Sequence, residues 1–211
     1  MAYGIRRGIR QRRKSTYFLL LLLISVFAVG AAVFLWRTGE AVYDYFSRSS
    51  RYDAVIRNAG LRNHIDPALI KAVIWKESRF DRSARGLKGE IGLMQIMPGT
   101  GYAAADWARV HRRKIPSKGA LYDPELNIDI GSWYLARALR RYEKYKDALA
   151  LALCEYNAGA RRTANWKPAE WDGPVAARIT IPSTRDYVRD VLRRYEYYKN
   201  LESNKTKKGS P

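Results

Sequence analysis

A run of 20 residues without a single charge, Tyr17–Trp36, constrains this chain more than any other feature. It reads "YFLLLLLISVFAVGAAVFLW", and about 20 apolar residues in a helix are enough to cross the hydrocarbon core of a bilayer. Basic residues hold their end of a membrane helix in the cytoplasm. Six of them precede the run: Arg6, Arg7, Arg10, Arg12, Arg13 and Lys14. We therefore predict a basic cytoplasmic segment over 1–16, a single transmembrane anchor over 17–36, and the rest of the chain outside the cytoplasm.

The alternative is a signal peptide that is cleaved near the small residues Ala28, Gly30 and Ala32. The apolar run continues past these residues to Trp36, which makes it longer than the apolar region of an ordinary signal peptide. The length of the run therefore favours an uncleaved anchor, and residues 37–51 are predicted to form a stalk next to the membrane.

The charge balance narrows the choice of partner. The formal net charge is +19, from 39 Lys and Arg against 20 Asp and Glu, and the region after residue 16 still carries +13. A basic exported region favours an anionic partner outside the cytoplasm over a nucleic acid, and no basic helix has the spacing that reads a DNA groove. The single cysteine, Cys154, excludes an internal disulfide, and no Cys/His spacing resembles a zinc site. We predict no metal and no cofactor, and place Cys154 in the core.

Helical patterns dominate the exported part. The pairs Asp66–Pro67 and Asp123–Pro124 are typical of helix starts, with an N-cap followed by proline at the first helical position. Glycines predict two helix ends, at Gly60 and Gly159. No run of alternating β-branched residues is long enough to predict a sheet, so the fold class is mostly α. A charged tail over 201–211 follows, and its last residues, "NKTKKGSP", are predicted to be disordered.

A glutamate lies on the apolar face of the helix that starts at Asp66. Ile70, Val73 and Ile74 precede Glu77 by seven, four and three residues, the offsets that share one side of an α-helix. A glutamate at the edge of such a stripe usually reaches water, since buried acids are rare. The alternative is a carboxyl group at the floor of a cleft, where desolvation raises its pKa and makes it a general acid. One helix does not decide between the two.

Four motifs in order bear on that choice: "ALIKAVIWKESRF", "GEIGLMQIMPGT", "ALCEYNAG" and "TRDYVRDVL". Together they resemble the successive signatures of the soluble lytic transglycosylase (SLT) domain family, whose relatives include goose-type lysozyme. The resemblance runs from about Tyr52 to Tyr198 and implies a lysozyme-like helical domain over 52–200, behind the transmembrane helix. With the predicted anchor, it implies an enzyme at a bacterial inner membrane whose domain is periplasmic or otherwise extracytoplasmic. This enzyme would cleave the β-1,4 bond between MurNAc and GlcNAc in peptidoglycan glycan strands.

The resemblance also assigns roles to particular residues. Glu77, in the Glu-Ser motif, corresponds to the catalytic acid/base of the family. A set of side chains is expected to bind the sugars: Ser78, Met94, Gln95, Tyr156, Asn157 and Tyr187. Met94 is expected to pack its thioether against a ring face, and Gln95 to bond hydroxyl or acetamido groups. The alternative for Ser78 is a serine on the helix surface, and for Met94 a residue that fills the core.

Most glycosidases use a second carboxylate as base or nucleophile. Asp81, Glu90 and Glu155 are nearby acids, but no spacing marks any of them. The resemblance implies that none is needed, because the acetamido group of the substrate is thought to stabilise the positive anomeric carbon. The same glutamate then returns as a base and closes a ring. The implied products are 1,6-anhydromuramyl sugars.

Two positions depart from the family pattern. A serine that often lies nine residues after the acid, and hydrogen-bonds it, is Gly86 here, and the glutamate of the usual "ETR" motif is Ser183. These departures lend some weight to an alternative, a non-catalytic peptidoglycan-binding or scaffolding protein on the same fold. Retention of Glu77 together with the other motif residues favours the enzyme. The sequence identifies no partner within an envelope assembly.

Overall fold

The computed structural model describes residues 22–39, 47–99 and 103–208, in two units that divide at Ser47. The first unit contains helix α1 (Leu22–Gly39), which is long and apolar enough to cross a membrane. Its side chains are exposed, for example Phe27 at 79% and Leu23 at 66%. The basic segment 1–16, the first residues of the predicted anchor and residues 40–46 of the predicted stalk lie outside the described residues.

The second unit is built from helices. They are α2 (Asp53–Asn63), α3 (Pro67–Ser78), α4 (Ala103–Val110), α5 (Pro124–Tyr142), α6 (Ala148–Ala158), α7 (Ala160–Ala164) and α8 (Pro182–Lys208), with short 3-10 turns at Ala120–Tyr122 and Ala176–Arg178. In the described part of the chain no strand forms. The loop after α3 has only two isolated antiparallel bridges, Arg85 with Ile91 and Ile91 with Ile96. The prediction of a mostly α fold is confirmed.

The two Asp-Pro pairs begin helices as predicted. The carboxylate of Asp66 accepts the Ala68 N–H at 2.8 Å at the start of α3. The carboxylate of Asp123 accepts the Leu126 N–H at 2.9 Å at the start of α5. Each cap fixes where its helix begins and therefore which side chains turn inward.

Two predicted ends are wrong. Helix α2 does not stop at Gly60 but continues to Asn63, where His64 adopts a left-handed conformation and caps it. Gly60 is instead buried inside α2, and its carbonyl accepts the Ile65 N–H at 3.0 Å in the turn toward α3. Helix α8 runs to Lys208, so most of the segment predicted to be disordered is helical. Adding residues to an existing helix costs far less than nucleating one. Residues 209–211 lie outside the described part.

Helix α6 lies at the centre of the second unit, between α5 and α8. Leu151, Leu153 and Cys154 in α6 are fully buried, and burial raises the pKa of the Cys154 thiol to about 12. Cys154 is thus a core residue, as predicted. Helix α3 packs on α8 and α2. The C-terminal ends of α3 and α6 meet the first turns of α8, and hydrogen bonds join the loop 79–99 to the ends of both helices.

Candidate active site

Glu77 lies in the last turn of α3 and lines a cavity of about 390 Å³. Its Oε1 accepts a hydrogen bond from the Tyr187 hydroxyl of α8 at 2.6 Å. Ile70, Val73 and Ile74, which share its side of the helix, are completely buried. The structure places the carboxyl group in a cleft rather than at a solvated edge of the apolar stripe.

The surroundings of Glu77 favour its protonated form. Burial raises the pKa of Glu77 to about 7, and the hydrogen bond from Tyr187 opposes part of that change. The negative charge of Glu90 raises the pKa further and the ammonium group of Lys76 lowers it, although Lys76 is itself paired with Asp190 at 2.7 Å. A carboxyl group with a pKa near neutrality still carries its proton in many molecules at pH 7, which is what a general acid requires.

The cavity at Glu77 adjoins a second cavity of about 470 Å³. Six residues line both: Lys88, Glu90, Gln95, Met97, Tyr156 and Asn157. The second cavity extends between α5 and α6, past Arg137, which pairs with Asp106 at 2.6 Å. Together the two cavities form an open cleft with a thioether, two tyrosine rings and amides on its walls. Such a mixture offers both packing surfaces and hydrogen-bonding groups to a sugar polymer.

Three of the six predicted sugar-binding residues line this cleft: Gln95, Tyr156 and Asn157. Each also has a polar atom held by the protein. The Gln95 amide donates to the Gly92 carbonyl at 2.9 Å, and the Tyr156 hydroxyl donates to the Met94 carbonyl at 2.9 Å. Asn157 accepts a hydrogen bond from the Thr184 hydroxyl at 2.8 Å. The side chains at the cleft are therefore fixed in orientation without a ligand.

Met94 does not face the cleft, so that part of the prediction is wrong. Its side chain is completely buried and fills the space beside Gly131 of α5, where a Cβ atom would lie only 2.5 Å from Sδ. Residue 131 must therefore be glycine for Met94 to enter the core. The methionine that lines the cleft is Met97, three residues later in the same motif.

Ser78 and Tyr187 also lie outside the cavity walls. Each instead forms hydrogen bonds that hold a neighbouring part of the site in place. The Ser78 hydroxyl donates to the carbonyls of Leu93, at 2.8 Å, and Ile74, at 3.2 Å, so it ties the loop 79–99 to α3. Tyr187 is buried behind Glu77, and burial raises the pKa of its hydroxyl, which keeps it a hydrogen-bond donor. Ser183, the departure in the last motif, is exposed on α8 and borders neither cavity.

Asn127 is a residue of the site that the sequence did not reveal. It is 1% exposed and lies one turn into α5. Its Oδ1 accepts the Met94 N–H, and its Nδ2 donates to the carbonyls of Ile91 and Leu121, each at 2.8 Å. Together, Asn127, Ser78 and Tyr156 attach the loop 79–99, which we call the cleft loop, to α5, α3 and α6. A lone asparagine on a helix carries no sequence signal for such a role.

The model of the Transglycosylase SLT domain family matches residues 54–174 of this chain. The soluble lytic murein transglycosylase of Escherichia coli K12 is 30% identical over 158 residues, which are 73% of this chain and 24% of that protein. A membrane-bound lytic murein transglycosylase C of Histophilus somni is 37% identical over 121 residues, 54% of this chain and 32% of that protein. The chain thus spans about a quarter of the length of the soluble relative.

Solved structures of lytic transglycosylases are also similar to this chain. One is an inactive mutant of the lytic transglycosylase Slt from Pseudomonas aeruginosa, in which a glutamate is replaced by glutamine. It superposes with a TM-score of 0.62 and 27% identity, over 71% of this chain and 24% of that one. The 70-kDa soluble lytic transglycosylase of Escherichia coli superposes with a TM-score of 0.59 and 28% identity, over 72% of this chain and 24% of that one. The helical fold around Glu77 is the fold of these proteins.

Proposed function

Because this chain belongs to the Transglycosylase SLT domain family, we propose that it is a membrane-anchored peptidoglycan lytic transglycosylase. Its substrate is the β-1,4 bond between MurNAc and GlcNAc, and its products carry 1,6-anhydromuramyl ends. The observation that carries this proposal is the protonatable Glu77, held by Tyr187 in a cleft lined with groups suited to sugars.

The proposed reaction uses Glu77 twice. The protonated carboxyl gives its proton to the glycosidic oxygen as the bond from that oxygen to the anomeric carbon breaks. The acetamido group of the sugar stabilises the positive anomeric carbon. The Glu77 carboxylate then takes the proton from the 6-hydroxyl of the same sugar, and O6 bonds to the anomeric carbon. No water is consumed and Glu77 ends protonated, ready for the next bond.

The features of the cleft favour an enzyme over a scaffold on the same fold. A protein that only binds glycan has no need of a carboxyl group with a pKa near 7, because burying it without a cation costs stability. The inactive relative, in which a glutamate is replaced by glutamine, agrees with such a role for one carboxyl group.

We expect the digestion products to carry anhydro ends. The purified full-length chain in detergent is incubated with peptidoglycan, and the soluble fragments are weighed by mass spectrometry before and after borohydride reduction. Anhydro ends are lighter than reducing ends by one water and resist borohydride, so the fragment masses should not change on reduction. The control is the same digestion with a hydrolytic lysozyme, whose products are reducible.

Two other outcomes contradict the proposal in different ways. No release of fragments by a folded protein that still binds peptidoglycan means a scaffold. Mostly reducible ends mean a hydrolase, and then Glu90 is the base to examine, because among the three nearby acids it alone lines the Glu77 cavity. The Asp81 carboxylate accepts a hydrogen bond from the Ser83 hydroxyl at 2.6 Å. Glu155 is buried, accepts the Tyr142 hydroxyl at 2.8 Å and pairs with Arg141.

The anchor is part of the same proposal. Helix α1 exposes a continuous apolar surface, and basic residues precede it in the sequence. We expect the protein to stay in the membrane fraction through a carbonate wash, with α1 still attached to the second unit. A periplasmic protein whose first residue lies between Gly30 and Trp36 would instead mean a cleaved signal peptide. Protease added outside the cytoplasmic membrane should digest the second unit and spare the N-terminal segment.

A further inference from the structure

Gly86 is in contact with the carboxylate of Glu90. A Cβ atom on residue 86 would lie 2.3 Å from Glu90 Oε2, 2.9 Å from its Cδ and 2.8 Å from Oε1 of Gln95. Atoms that are not bonded do not approach so closely. Gly86 is absent from the described residues with positive φ, so its backbone conformation does not call for a glycine. A Cβ atom at this position would instead require the side-chain ends of Glu90 and Gln95 to move.

The loop holds Glu90 in this position. The Lys88 N–H donates to Glu90 Oε2 at 2.9 Å, and the Gly86 N–H donates to the Glu90 carbonyl at 2.9 Å. The Gly89 N–H closes the turn by donating to the Gly86 carbonyl at 3.0 Å. Glu90 is thus folded back across the turn 86–90, and its carboxylate borders the same cavity as Glu77.

We propose that Glu90 is a positioning residue for the Glu77 acid, and that Gly86 is glycine because the Glu90 carboxylate occupies the space above its Cα. The inference rests on the proposed function, and it gives the first family departure a cause. A carboxylate lies where a side chain on residue 86 would begin. A side chain there would force the carboxylate to move from this position.

The negative charge of Glu90 determines its effect on Glu77. The pKa of Glu77 responds to Tyr187 from α8, Lys76 from α3 and Glu90 from the loop. Two further titratable groups, Tyr156 from α6 and Lys88 from the loop, line the same cavity. The two tyrosines are neutral because burial raises their pKa values. Lys76 favours the charged form of Glu77 and is paired with Asp190. Glu90 supplies the negative charge that favours the protonated form, which is the form that donates to the glycosidic oxygen.

The first test measures Glu77 directly and needs no turnover. Glutamate labelled with ¹³C at the side-chain carboxyl is built into the full-length chain in detergent micelles, and the Glu77 signal is assigned with Glu77→Gln. We expect Glu90→Gln to lower the pKa of Glu77, and Gly86→Ala to lower it as well by displacing the carboxylate. Tyr187→Phe should raise it, since that hydrogen bond lowers it. Glu170→Gln, at an exposed acid outside both cavities, is the matched control and should leave it in place.

The second test is the pH profile of peptidoglycan cleavage. Glu90→Gln should lose several-fold of kcat/KM at pH 8, where protonated Glu77 is scarce, and no more than about twofold at pH 5.5. An unchanged Glu77 titration in Glu90→Gln overturns the proposal. So does a loss that is equal at both pH values, because that means a purely structural role. A chain that shows the Glu90-dependent titration but never cleaves peptidoglycan refutes the enzyme and not the link between the two carboxyl groups.

Discussion

Full-length Glu77→Gln protein is expected to keep its fold and to lose about 10²-fold or more of its peptidoglycan cleavage, the loss typical of removing a general acid. Glutamine has nearly the size of glutamate, and its carbonyl oxygen can still accept the Tyr187 hydroxyl, which lies 2.6 Å from Glu77 Oε1. It has no proton to give to the glycosidic oxygen. The measurement is the rate of fragment release from purified peptidoglycan, with Glu170→Gln as the control for loss of one exposed acid.

The same role for Glu77 predicts how wild-type activity depends on pH. Since the acid must be protonated, kcat/KM should be full at low pH and fall as the pH rises through about 7, the pKa to which burial raises Glu77. Near-wild-type cleavage by a folded Glu77→Gln protein, or no fall in wild-type activity between pH 6 and pH 8, would remove Glu77 from the reaction.

The Glu77→Gln substitution is expected to raise stability at high pH although it removes activity. A carboxyl group whose pKa is raised in the folded state contributes stability that is full below its unfolded pKa and is lost as the pH rises through the folded pKa. Wild-type Glu77 therefore costs stability at pH 8 but not at pH 4. We expect Glu77→Gln to melt at a higher temperature than the wild type at pH 8, and at a similar temperature at pH 4. This comparison also shows that the variant is folded.

The part of the site that could be predicted from the sequence is the part fixed by one helix. Asp66 and Pro67 set the first turn of α3, and the spacing of Ile70, Val73 and Ile74 then determines the direction of Glu77. The Asp123 cap fixes α5 in the same way. These relations involve neighbours a few residues apart, where helix geometry alone gives the answer.

The part that could not be predicted depends on contacts between distant segments. Met94 and Met97 have the same side chain in the same motif, and it is Met94 that enters the core, in the space beside Gly131 of a distant helix. Ser78 and Tyr156 both use their hydroxyl groups on carbonyls of the cleft loop. No pattern in the sequence predicts these hydrogen-bond partners, which are 15 residues away for Ser78 and 62 residues away for Tyr156. Gly86 and Glu90 are only four residues apart. Their contact could still not be predicted, because a loop lacks the regular side-chain spacing of a helix or a strand.

Asn127, which lies outside the four sequence motifs, holds the cleft loop through hydrogen bonds to Met94 and Ile91. Asn127 satisfies three buried backbone groups, the Met94 N–H and the carbonyls of Ile91 and Leu121. Leucine has a similar volume and can make none of these bonds. Leaving buried backbone groups without partners costs about 1–3 kcal/mol each, so we expect Asn127→Leu to lower the free energy of unfolding by about 3 kcal/mol or more. Denaturant unfolding of the full-length chain in detergent measures this loss.

The same substitution should also reduce cleavage, because Asn127 holds the loop that carries Gln95 and Met97 to the cleft. The matched control is Asn200→Leu, at an exposed position of α8, which should change the free energy of unfolding by no more than about 0.5 kcal/mol. If Asn127→Leu were as stable as this control, the three hydrogen bonds would not hold the loop. Wild-type cleavage by an Asn127→Leu protein that is clearly destabilised would show instead that the acid on α3 works without a fixed loop beside it. The expected result is loss of both, since Glu77 donates its proton only to a sugar that the loop holds in place.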